Sequence, residues 1–526
     1  MMNIKERHFW YIGLILILVV PFLYNSAAAT SAPIIFGDEG YYGSRGSWIL
    51  ENLEIPRYWH IYGENEMIQS FWLDVPFIIF MVSSFFAVGG EFMVKMLDPI
   101  LGVLTGIMTL LIARKLYSGK TGVLSMFFFV ILPSVITYSV FLYGDMLLTL
   151  LMTSSIYFVI RGVKENSCRL FVVSGIFAGL AALTKETGLV LFFIYLAIFL
   201  FYRKDWVKRF GVLILIVMAF VAPWYGLHHY MVLGNPGIPI IENQFPSSWI
   251  SPEIPDMEIN ELERHGSGTY ASLVEYGVLN YITFSYGLGA FIFIVIGFSS
   301  LFYIKKKRNR MILLISFILL LTIGIYTRGE SKVESISRWL IPLMPFFAIA
   351  AGYGIEKIYG FIKSYGNTLS KGVAILFVFA IILFGFTTAS AKAQSLGQIK
   401  QWSPAFIEGC EWVRRNTPED AKIATIWGHH TMYQCKRDAY WGNKLPNRDA
   451  IVLFANDTSY ELLKDAGMDY LYIQKFSISF REGWETYPTE FVSYVKNSDK
   501  FKEAYDYPNN CLYSGQQDCV ILYEII

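Results

Sequence analysis

The chain opens with an apolar run that ends at two adjacent acids: residues 9–40 read FWYIGLILILVVPFLYNSAAATSAPIIFGDEG. Residues 9–29 are long and apolar enough to cross a bilayer as one helix. No convincing cleavage site lies between this run and the acids, so we interpret it as a retained signal-anchor helix. Asp38 and Glu39 follow just outside the membrane, where a membrane enzyme would hold a general base. The competing interpretation is a solvated loop with two ordinary acids.

The composition is that of a membrane protein along most of the chain. Of the 526 residues, 54% are hydrophobic and only 16% are charged, and the mean hydropathy is +0.44. Soluble proteins carry about 25% charged residues. The net charge is +1, and neither a basic tail nor a basic patch with interleaved aromatic residues is present, which argues against a nucleic-acid partner.

Clusters of basic residues predict the topology. Six clusters separate the apolar runs, and the positive-inside rule assigns all of them to the cytoplasm: Lys5/Arg7, Arg114/Lys115/Lys120, Arg161/Lys164/Arg169, Arg203/Lys204/Lys208/Arg209, Lys305 to Arg310, and Lys357/Lys363/Lys371. The chain must cross out and back between successive clusters. This predicts eleven transmembrane helices, with the N-terminus in the cytoplasm and the C-terminus outside, at about 9–29, 95–113, 121–142, 146–161, 170–184, 187–202, 210–228, 282–304, 311–327, 338–357 and 372–391.

One apolar segment, 72–89, does not fit this pattern of paired crossings, because an additional span would reverse the orientation of all later ones. We interpret it as a juxtamembrane or re-entrant helix that ends at Gly89-Gly90, inside an outer loop spanning 30–94. A second long outer loop covers 229–281. With this topology the polar residues near the membrane collect on the outer face, namely Asp38, Glu39, Asp145, Lys185, Glu186, Arg328, Lys332 and Arg338.

The composition changes near Ser395, which predicts a transmembrane catalytic domain over 1–392 and an exported α/β domain over 393–526. The exported domain is large enough for one small core. Its patterns predict helices at 406–416 and 459–466 and strands at 422–427, 470–474 and 519–524.

Cysteine usage agrees with export of this tail. Four of the five cysteines lie in it, which is typical of disulfides in an oxidising compartment. Cys410 with Cys435, and Cys511 with Cys519, are the pairings we consider, and the sequence leaves the connectivity open. Cys168 falls in a predicted cytoplasmic loop, where a free thiol is expected.

Two adjacent histidines, His429 and His430, follow the predicted strand 422–427. Neighbouring side chains on a strand point to opposite faces, so a single metal ion held by both is disfavoured. No metal site is assigned.

The order of these signals resembles the GT-C glycosyltransferases, in particular the aminoarabinose-transferase-like and protein-mannosyltransferase-like branch. The resemblance covers roughly residues 9–350. It rests on an ordered set of features at matching membrane positions: the Asp38-Glu39 loop, the apolar juxtamembrane helix, Tyr143-Gly144-Asp145, Leu183-Thr184-Lys185, Ala222-Pro223-Trp224, and Ser337-Arg338-Trp339-Leu340-Ile341-Pro342. It implies a polytopic helical fold and transfer of a sugar from a polyprenyl-phosphate donor at the outer membrane surface.

The resemblance also implies roles for individual residues. Asp38 would be the catalytic base, Lys185 and Arg338 would lie near the donor phosphate, and Asp145 would be a second acid beside the site. Glu39 and Tyr42 are assigned to substrate binding, because the stretch from Tyr41 to Tyr62 is rich in aromatic faces that suit a sugar ring.

Structural interpretations of the same residues stay open. Asp145 would then cap a helix, Lys185 would extend to the membrane interface, Arg338 would anchor a helix end, and Glu39 would be a structural acid. The sequence also departs from the family pattern. Asp74-Val75-Pro76 stands where the aminoarabinose branch has Glu-Lys-Pro, and the His-Pro-Pro of the mannosyltransferase branch is absent, so the sugar and the acceptor remain open.

The predicted chemistry needs few parts. A carboxylate takes the proton of an acceptor hydroxyl, cations stabilise the leaving phosphate, and a single displacement inverts the anomeric carbon. A monophosphate donor needs no metal, whereas a diphosphate donor would more often recruit one, so no cofactor is firmly implied and a divalent metal stays a less favoured alternative. The predicted partners are the lipid-linked donor and an acceptor on a protein, lipid or glycan. The alternatives are a transporter or flippase of lipid-linked sugars, a ligase with a diphosphate donor, and a receptor. We see no internal repeat of the transporter kind.

Overall fold

The computed structural model describes residues 4–34, 38–53, 76–202, 206–224, 287–304, 306–326, 338–364, 368–400, 404–425, 428–441, 457–475, 489–507 and 519–526. These residues divide into two compact units. The first takes its residues from 1–30, 73–78 and 95–396, and the second from 31–72, 79–94 and 397–526. The predicted outer loop 229–281, together with Arg328 and Lys332, lies outside the described residues.

Helices dominate the first unit and strands appear only in the second. In chain order the helices are α1 (Ile4–Ala29), α2 (Asp38–Asn52), α3 (Pro76–Leu116), α4 (Gly119–Ile131), α5 (Pro133–Val140), α6 (Asp145–Glu165), α7 (Cys168–Thr184), α8 (Leu191–Tyr202), α9 (Trp206–Val221), α10 (Leu288–Tyr303), α11 (Lys307–Tyr326), α12 (Met344–Ser364), α13 (Thr368–Lys400), α14 (Pro404–Asn416), α15 (Gly428–Cys435), α16 (Asp457–Asp465) and α17 (Thr489–Asn497). Two 3-10 helices span Glu186–Val190 and Ile341–Leu343.

The first unit is a bundle of apolar helices. Within the described ranges, five helices have the length and apolarity to cross a membrane, a bent pair gives a sixth, and four further apolar helices are shorter. Large apolar side chains point outward from the bundle, among them Phe302, Leu376 and Phe379, as expected for surfaces that face lipid. The protein is an integral membrane protein, and the count of eleven spans stays a prediction.

One predicted span is broken. The sequence pattern predicted a single helix over 121–142, whereas the chain forms α4 and α5 at an angle of 61°. Leu132 at the break has an extended backbone, with φ −62° and ψ 129°. Pro133 causes this break, because a proline disfavours helical geometry at the preceding residue and donates no backbone hydrogen bond.

The predicted end of the juxtamembrane helix is confirmed. Helix α3 starts at Pro76 and loses helical geometry at Gly89 and Gly90 before it continues to Leu116. Gly90 has φ +62° and ψ −156°, a region that essentially only glycine adopts. The two glycines therefore separate the juxtamembrane segment from the following apolar helix.

The second unit contains a five-stranded mixed sheet. Its strands are β1 (Lys422–Thr425), β2 (Asp438–Trp441), β3 (Tyr470–Lys475), β4 (Phe501–Tyr507) and β5 (Cys519–Ile525), in the order β2-β1-β3-β5-β4. β1 pairs in parallel with β2 and β3, and β5 pairs antiparallel with β3 and β4. The predicted strands and helices of the tail are confirmed within a few residues, while α15, α17, β2 and β4 were not predicted.

A disulfide joins two helices of this unit. Cys410 of α14 is bonded to Cys435 of α15, and both are buried. This confirms the first of the two pairings that the sequence left open. Cys519 is also disulfide-bonded, and Cys511 lies outside the described residues. Cys168 is free and exposed, as predicted.

The stretch after Asp38 is a helix, which corrects the expectation of a loop. Asp38 and Glu39 occupy the first turn of α2, where carboxylates interact favourably with the helix dipole. A glycine recurs every third residue along one side of the helix, so that α2 packs closely against its neighbours. A Cβ on Gly40 would lie 2.6 Å from the His430 ring, and one on Gly46 would lie 2.5 Å from Val82.

Candidate functional site

The predicted site residues fall into two groups. Asp145, Lys185 and Arg338 belong to the first unit. Asp38, Glu39 and Tyr42 belong to the second unit. The convergence of Asp38 with the two cations stays a prediction.

The three residues of the first unit form an ion cluster. Lys185 Nζ lies 2.7 Å from Asp145 Oδ1, and Arg338 Nε lies 2.5 Å from Asp145 Oδ2. Each carboxylate oxygen thus receives one cation. Asp145 lies in the first turn of α6, but the helix cap before it shows no side-chain hydrogen bond. From the first turn of α6 the carboxylate therefore pairs with two cations.

Breaks in regular structure present the two cations. Lys185 follows the last residue of α7 and has an extended backbone, with φ −163° and ψ 136°. Arg338 precedes the 3-10 turn at Ile341–Leu343, where Pro342 limits the backbone. Both side chains therefore leave the bundle at helix ends, where charged groups at a membrane boundary are best tolerated.

Aromatic rings cover the same two cations. Lys185 Nζ lies 4.5 Å from the centre of the Trp339 ring, and the Arg338 guanidinium lies 4.7 Å from the centre of the Tyr143 ring. Cations at these distances are attracted to the ring faces. Trp339 therefore packs beside the ion cluster through its contact with Lys185.

Asp98 is a buried acid next to this cluster that sequence reasoning missed. Its Oδ2 accepts a hydrogen bond of 3.0 Å from the backbone N–H of Tyr143, and the residue is 2% exposed. The signal was present, since Asp98 is an acid inside the predicted span 95–113, and charged residues within spans are usually functional or structural partners. Asp98 fixes the turn that places Tyr143 and Asp145.

The burial of the cluster is asymmetric. The Asp145 side chain is 2% exposed, while those of Lys185 and Arg338 are 19% and 22% exposed. The Asp145 carboxylate is therefore buried, and the side chains of Lys185 and Arg338 extend from it toward the surface of the unit. Two cations against one carboxylate leave one net positive charge among these three groups, which suits an anionic ligand.

A cavity opens beside Lys185, and we call it the Lys185 cavity. It holds about 380 Å³, including its open mouth. Its polar side carries Asp145, Lys185 and Thr187, and the buried Thr187 hydroxyl has no hydrogen-bond partner in the described part of the chain. The remaining lining is mostly apolar, from Leu148, Met152, Val190, Leu319, Thr322, Trp339 and Pro342.

The two acids of the second unit differ in burial. Glu39 is 1% exposed, whereas Asp38 is half-buried in the same turn of α2. Tyr42 is buried, with 6% exposure. Asp38 is therefore the more accessible carboxylate of the pair, as a general base must be.

Arg45 is a further buried charge on α2 that the sequence did not single out. It is fully buried, its guanidinium lies 3.3 Å from the centre of the Tyr41 ring, and its Nη1 donates to the Tyr41 carbonyl at 3.3 Å. Tyr41 and Arg45 are four residues apart and thus lie on the same side of α2. Their contacts stiffen the start of the helix that carries Asp38.

Hydrogen bonds also hold the segment that leads into α2. Glu91 Oε1 accepts from the Ile34 N–H at 2.9 Å, and Glu91 Oε2 accepts from the Tyr433 hydroxyl at 2.9 Å. The Gln434 amide donates to the Ile34 carbonyl at 2.7 Å. Burial, and then the neighbouring Glu91 carboxylate, raise the pKa of Tyr433, so its hydroxyl keeps its proton and remains a donor.

The histidine pair lies on a helix rather than at a strand end, which corrects the sequence-based interpretation. His429 and His430 occupy the first turn of α15, where successive side chains point about 100° apart. The His430 ring packs against Gly40 of α2. His430 therefore contacts the helix that carries Asp38.

Comparison with known proteins agrees with the family resemblance seen in the sequence. The family model of dolichyl-phosphate-mannose-protein mannosyltransferases matches residues 74–226, a range that includes Asp98, Asp145 and Lys185. No curated protein matches the chain in sequence.

Solved structures match over most of the chain. The ArnT protein of Cupriavidus metallidurans in its apo state is 12% identical, with a TM-score of 0.63, and the match covers 99% of this chain and 98% of that one. The same protein bound to undecaprenyl phosphate gives a TM-score of 0.62 at 12% identity, over 97% of each chain. The oligosaccharyltransferase of Archaeoglobus fulgidus in its apo form is 14% identical, with a TM-score of 0.61, over 88% of this chain and 69% of that one.

These matches show the fold. The chain is a polytopic helical membrane protein with a C-terminal mixed β-sheet region, and its fold is the ArnT-like fold. The resemblance to GT-C glycosyltransferases that the ordered sequence signals indicated is confirmed. The enzyme class expected from the sequence, a glycosyltransferase with a lipid-phosphate sugar donor, agrees with the family match and with the fold.

Proposed function

We propose, from the premise that the chain has the GT-C glycosyltransferase fold, that it transfers a sugar from a polyprenyl-phosphate-linked donor to an acceptor hydroxyl on the extracytoplasmic face of the membrane. The observation that carries this proposal is the ion cluster of Asp145, Lys185 and Arg338 beside an apolar cavity. Relatives of the same fold support it: ArnT is described in complex with undecaprenyl phosphate and the archaeal oligosaccharyltransferase in complex with a dolichol-phosphate.

Lys185 and Arg338 bind the donor phosphate in this proposal. Their exposed fractions of 19% and 22% leave both cations accessible, while Asp145 holds them from beneath. A buried carboxylate that pairs with two cations fixes their geometry in advance, so less conformational entropy is lost when phosphate binds. The cluster keeps one net positive charge, which stabilises the phosphate as it leaves. The Thr187 hydroxyl adds a polar atom on the same side of the cavity.

The apolar side of the Lys185 cavity suits the first isoprene units of the donor. Leu148, Met152, Val190 and Leu319 line it. Burial of a prenyl methylene contributes about 0.8 kcal/mol, so contact of the first isoprene unit with this lining adds to the affinity of the phosphate-binding end. A ligand that is charged at one end and apolar along its length matches this division of the lining.

Asp38 acts as the general base. It is accessible in the first turn of α2, whereas its neighbour Glu39 is 1% exposed and serves the helix structure. As the acceptor oxygen bonds to the anomeric carbon, its proton passes to the Asp38 carboxylate. The bond from the anomeric carbon to the phosphate oxygen breaks, and the polyprenyl phosphate leaves with the electron pair. A single displacement of this kind inverts the anomeric centre.

The test is transfer of radiolabelled sugar from a polyprenyl-phosphate donor in proteoliposomes that contain the purified protein and cell-envelope acceptors. Asp38→Asn is expected to lower transfer at least about 10²-fold, the scale of general-base catalysis, with donor binding unchanged. Asp465→Asn on α16 is the matched control, because Asp465 is an exposed acid of the second unit. Full transfer by Asp38→Asn overturns the base assignment, and movement of intact donor between leaflets without consumption supports the flippase instead.

A further inference from the structure

The second unit has a cavity of its own, separate from the residues assigned above. It lies between the C-terminal half of α2 and the residues around α15 and β2, and we call it the α2–β2 cavity. It holds about 720 Å³, including its open mouth. Helix α2 contributes Ser44, Ser47, Trp48 and Glu51.

The basic residues of this cavity are already engaged. Arg437 is buried, and its guanidinium donates to the Thr417 hydroxyl at 3.1 Å, the Thr417 carbonyl at 2.8 Å, and the carbonyls of Arg414 and Lys436. Lys436 Nζ lies 3.8 Å from Glu51 and 4.9 Å from the centre of the Tyr433 ring. The two cations therefore support the wall of the cavity and leave little positive charge for an anion.

Two acidic residues of the cavity, unlike the basic ones, are not engaged by other side chains of the described ranges. Glu419 and Asp438 line the cavity, and within the described ranges neither carboxylate forms an ion pair or a side-chain hydrogen bond with the protein. Each carboxylate offers about four acceptor positions and no donor. With Glu51 included, three acids face two cations, so the lining disfavours phosphate and other anions.

The serine hydroxyls add further acceptors. Ser44 donates its proton to the Tyr41 carbonyl at 3.1 Å, and Ser47 donates to the Ser44 carbonyl at 3.1 Å. A hydroxyl whose proton is used in this way has only acceptor capacity left for a ligand. The cavity is therefore rich in acceptors, and its ligand must supply the donors.

Trp48, Met432 and Tyr433 provide the apolar part of the lining. A ligand that carries many hydroxyl donors and also apolar C–H faces is a carbohydrate, and a cavity lined by both aromatic rings and carboxylates is complementary to both parts of it. A carbohydrate that is neutral or carries an amine fits the charge. An anionic headgroup does not.

We propose that the α2–β2 cavity binds the carbohydrate part of the acceptor. Ser44 lies six residues after Asp38 on the same helix, which is about 9 Å along the helix axis. Six residues also turn about 120° around the helix, so a glycan held in the cavity needs about two or three further sugar residues to follow the helix surface to Asp38. The inference rests on the proposed function, since it assigns the acceptor class to the base at Asp38, and it commits to an acceptor that carries sugar.

The experiment measures sugar binding without any transfer. The full chain is placed in lipid nanodiscs, because glycoside detergents would compete. Saturation-transfer NMR is recorded with four probes: the methyl glycosides of glucose, mannose and galactose, and glucosamine. At least one probe is expected to bind, and Asp438→Asn and Trp48→Phe are expected to weaken it about tenfold, or about 1.4 kcal/mol. Asp465→Asn, which removes an exposed acid on α16, is the matched control and leaves binding unchanged.

Two results overturn the assignment. One is equal probe binding, or equal lack of binding, in the wild type and in Asp438→Asn. The other is displacement of the bound sugar by inorganic phosphate, which would identify an anion site. Failure of the proposed function is separate: probe binding as expected with no transfer from polyprenyl-phosphate donor refutes the transferase and keeps the carbohydrate site. Transfer with no probe binding refutes the cavity assignment alone.

Discussion

The Tyr433 hydroxyl donates a hydrogen bond to Glu91, and the other oxygen of the same carboxylate accepts the backbone N–H of Ile34. Ile34 lies four residues before Asp38. One carboxylate thus connects α15 of the sheet domain to the segment that enters α2. Gln434, the next residue of α15, donates to the Ile34 carbonyl as well. The position of the proposed base therefore depends on contacts from the C-terminal region.

Tyr433→Phe tests this dependence. The change removes the donor to Glu91 and leaves a partly buried carboxylate oxygen without that partner, which costs up to about 1–3 kcal/mol. The free energy of unfolding is expected to fall by this amount, and kcat for sugar transfer is expected to fall while the KM for the donor stays constant. Tyr507→Phe on β4 is the control, since Tyr507 is exposed. Unchanged kcat in Tyr433→Phe would show that α2 keeps its position without the bond.

The raised pKa of Tyr433 gives a prediction for alkaline pH. The unfolded phenol loses its proton near pH 10, whereas burial and Glu91 keep the folded hydroxyl protonated above that value. The unfolded state then binds fewer protons than the folded state, so this residue lowers stability as pH rises above about 10, by up to about 1.4 kcal/mol per pH unit. Below pH 10 the contribution of the hydrogen bond is fully present.

The measurement compares wild type with Tyr433→Phe at pH 8 and pH 11. The stability advantage of the wild type is expected to shrink at pH 11, because phenylalanine does not titrate. Other tyrosines with raised pKa values, such as Tyr470 and Tyr505, are common to both proteins, so their effects cancel. An equal difference between the two proteins at both pH values would contradict the prediction.

The Cys410–Cys435 disulfide gives a third prediction. The bond closes a loop with a sequence separation of 25, and in the chain-entropy description such a loop stabilises the folded state by about 3–4 kcal/mol. The double variant Cys410→Ser/Cys435→Ser is expected to melt at lower temperature and to lose transfer activity, because α15 holds Ile34 and Glu91. Cys168→Ser is the control, since Cys168 is free and exposed. An unchanged melting temperature in the double variant would contradict this account.

The sequence predicted the apolar helices well, because each is a long apolar run between basic clusters, and hydropathy and charge bias are strong local signals. It also predicted the ends at Gly89-Gly90. The break at Pro133 was missed, although a proline inside a predicted span is a local signal for it. The tail was predicted in part: β1, β3 and β5 are clear apolar runs, while β4 is mostly half-buried or exposed, with the charged residues Lys502 and Glu503, and lacks the alternation that marks a strand.

The candidate site was predicted unevenly for a physical reason. Asp145, Lys185 and Arg338 stand out as charges at span ends, and the structure brings the three side chains into contact, while their joint role in binding stays a prediction. The second unit depends on pairings between distant parts of the chain, such as Glu91 with Tyr433, and no local pattern encodes these. Helix α2 was taken for a loop because three glycines lower helix propensity, whereas their close packing in the folded protein compensates for it.

Lys185→Met gives the last prediction, on the ion cluster. Methionine keeps the length of the side chain and removes the charge, so the buried Asp145 retains Arg338 as its cation and the cluster becomes neutral overall. Donor affinity is expected to fall at least about tenfold, since the phosphate loses a charge-assisted bond worth roughly 1.5–3 kcal/mol. The measurement is binding of polyprenyl phosphate to the protein in nanodiscs. Lys185→Arg, which restores the charge, is expected to recover part of the affinity, and its melting temperature checks that the bundle is intact. Lys115→Met is the matched control, because Lys115 forms an ion pair of the same 2.7 Å length with Glu165 yet lies outside the Lys185 cavity. Equal donor affinity in Lys185→Met and wild type would show that the phosphate binds elsewhere.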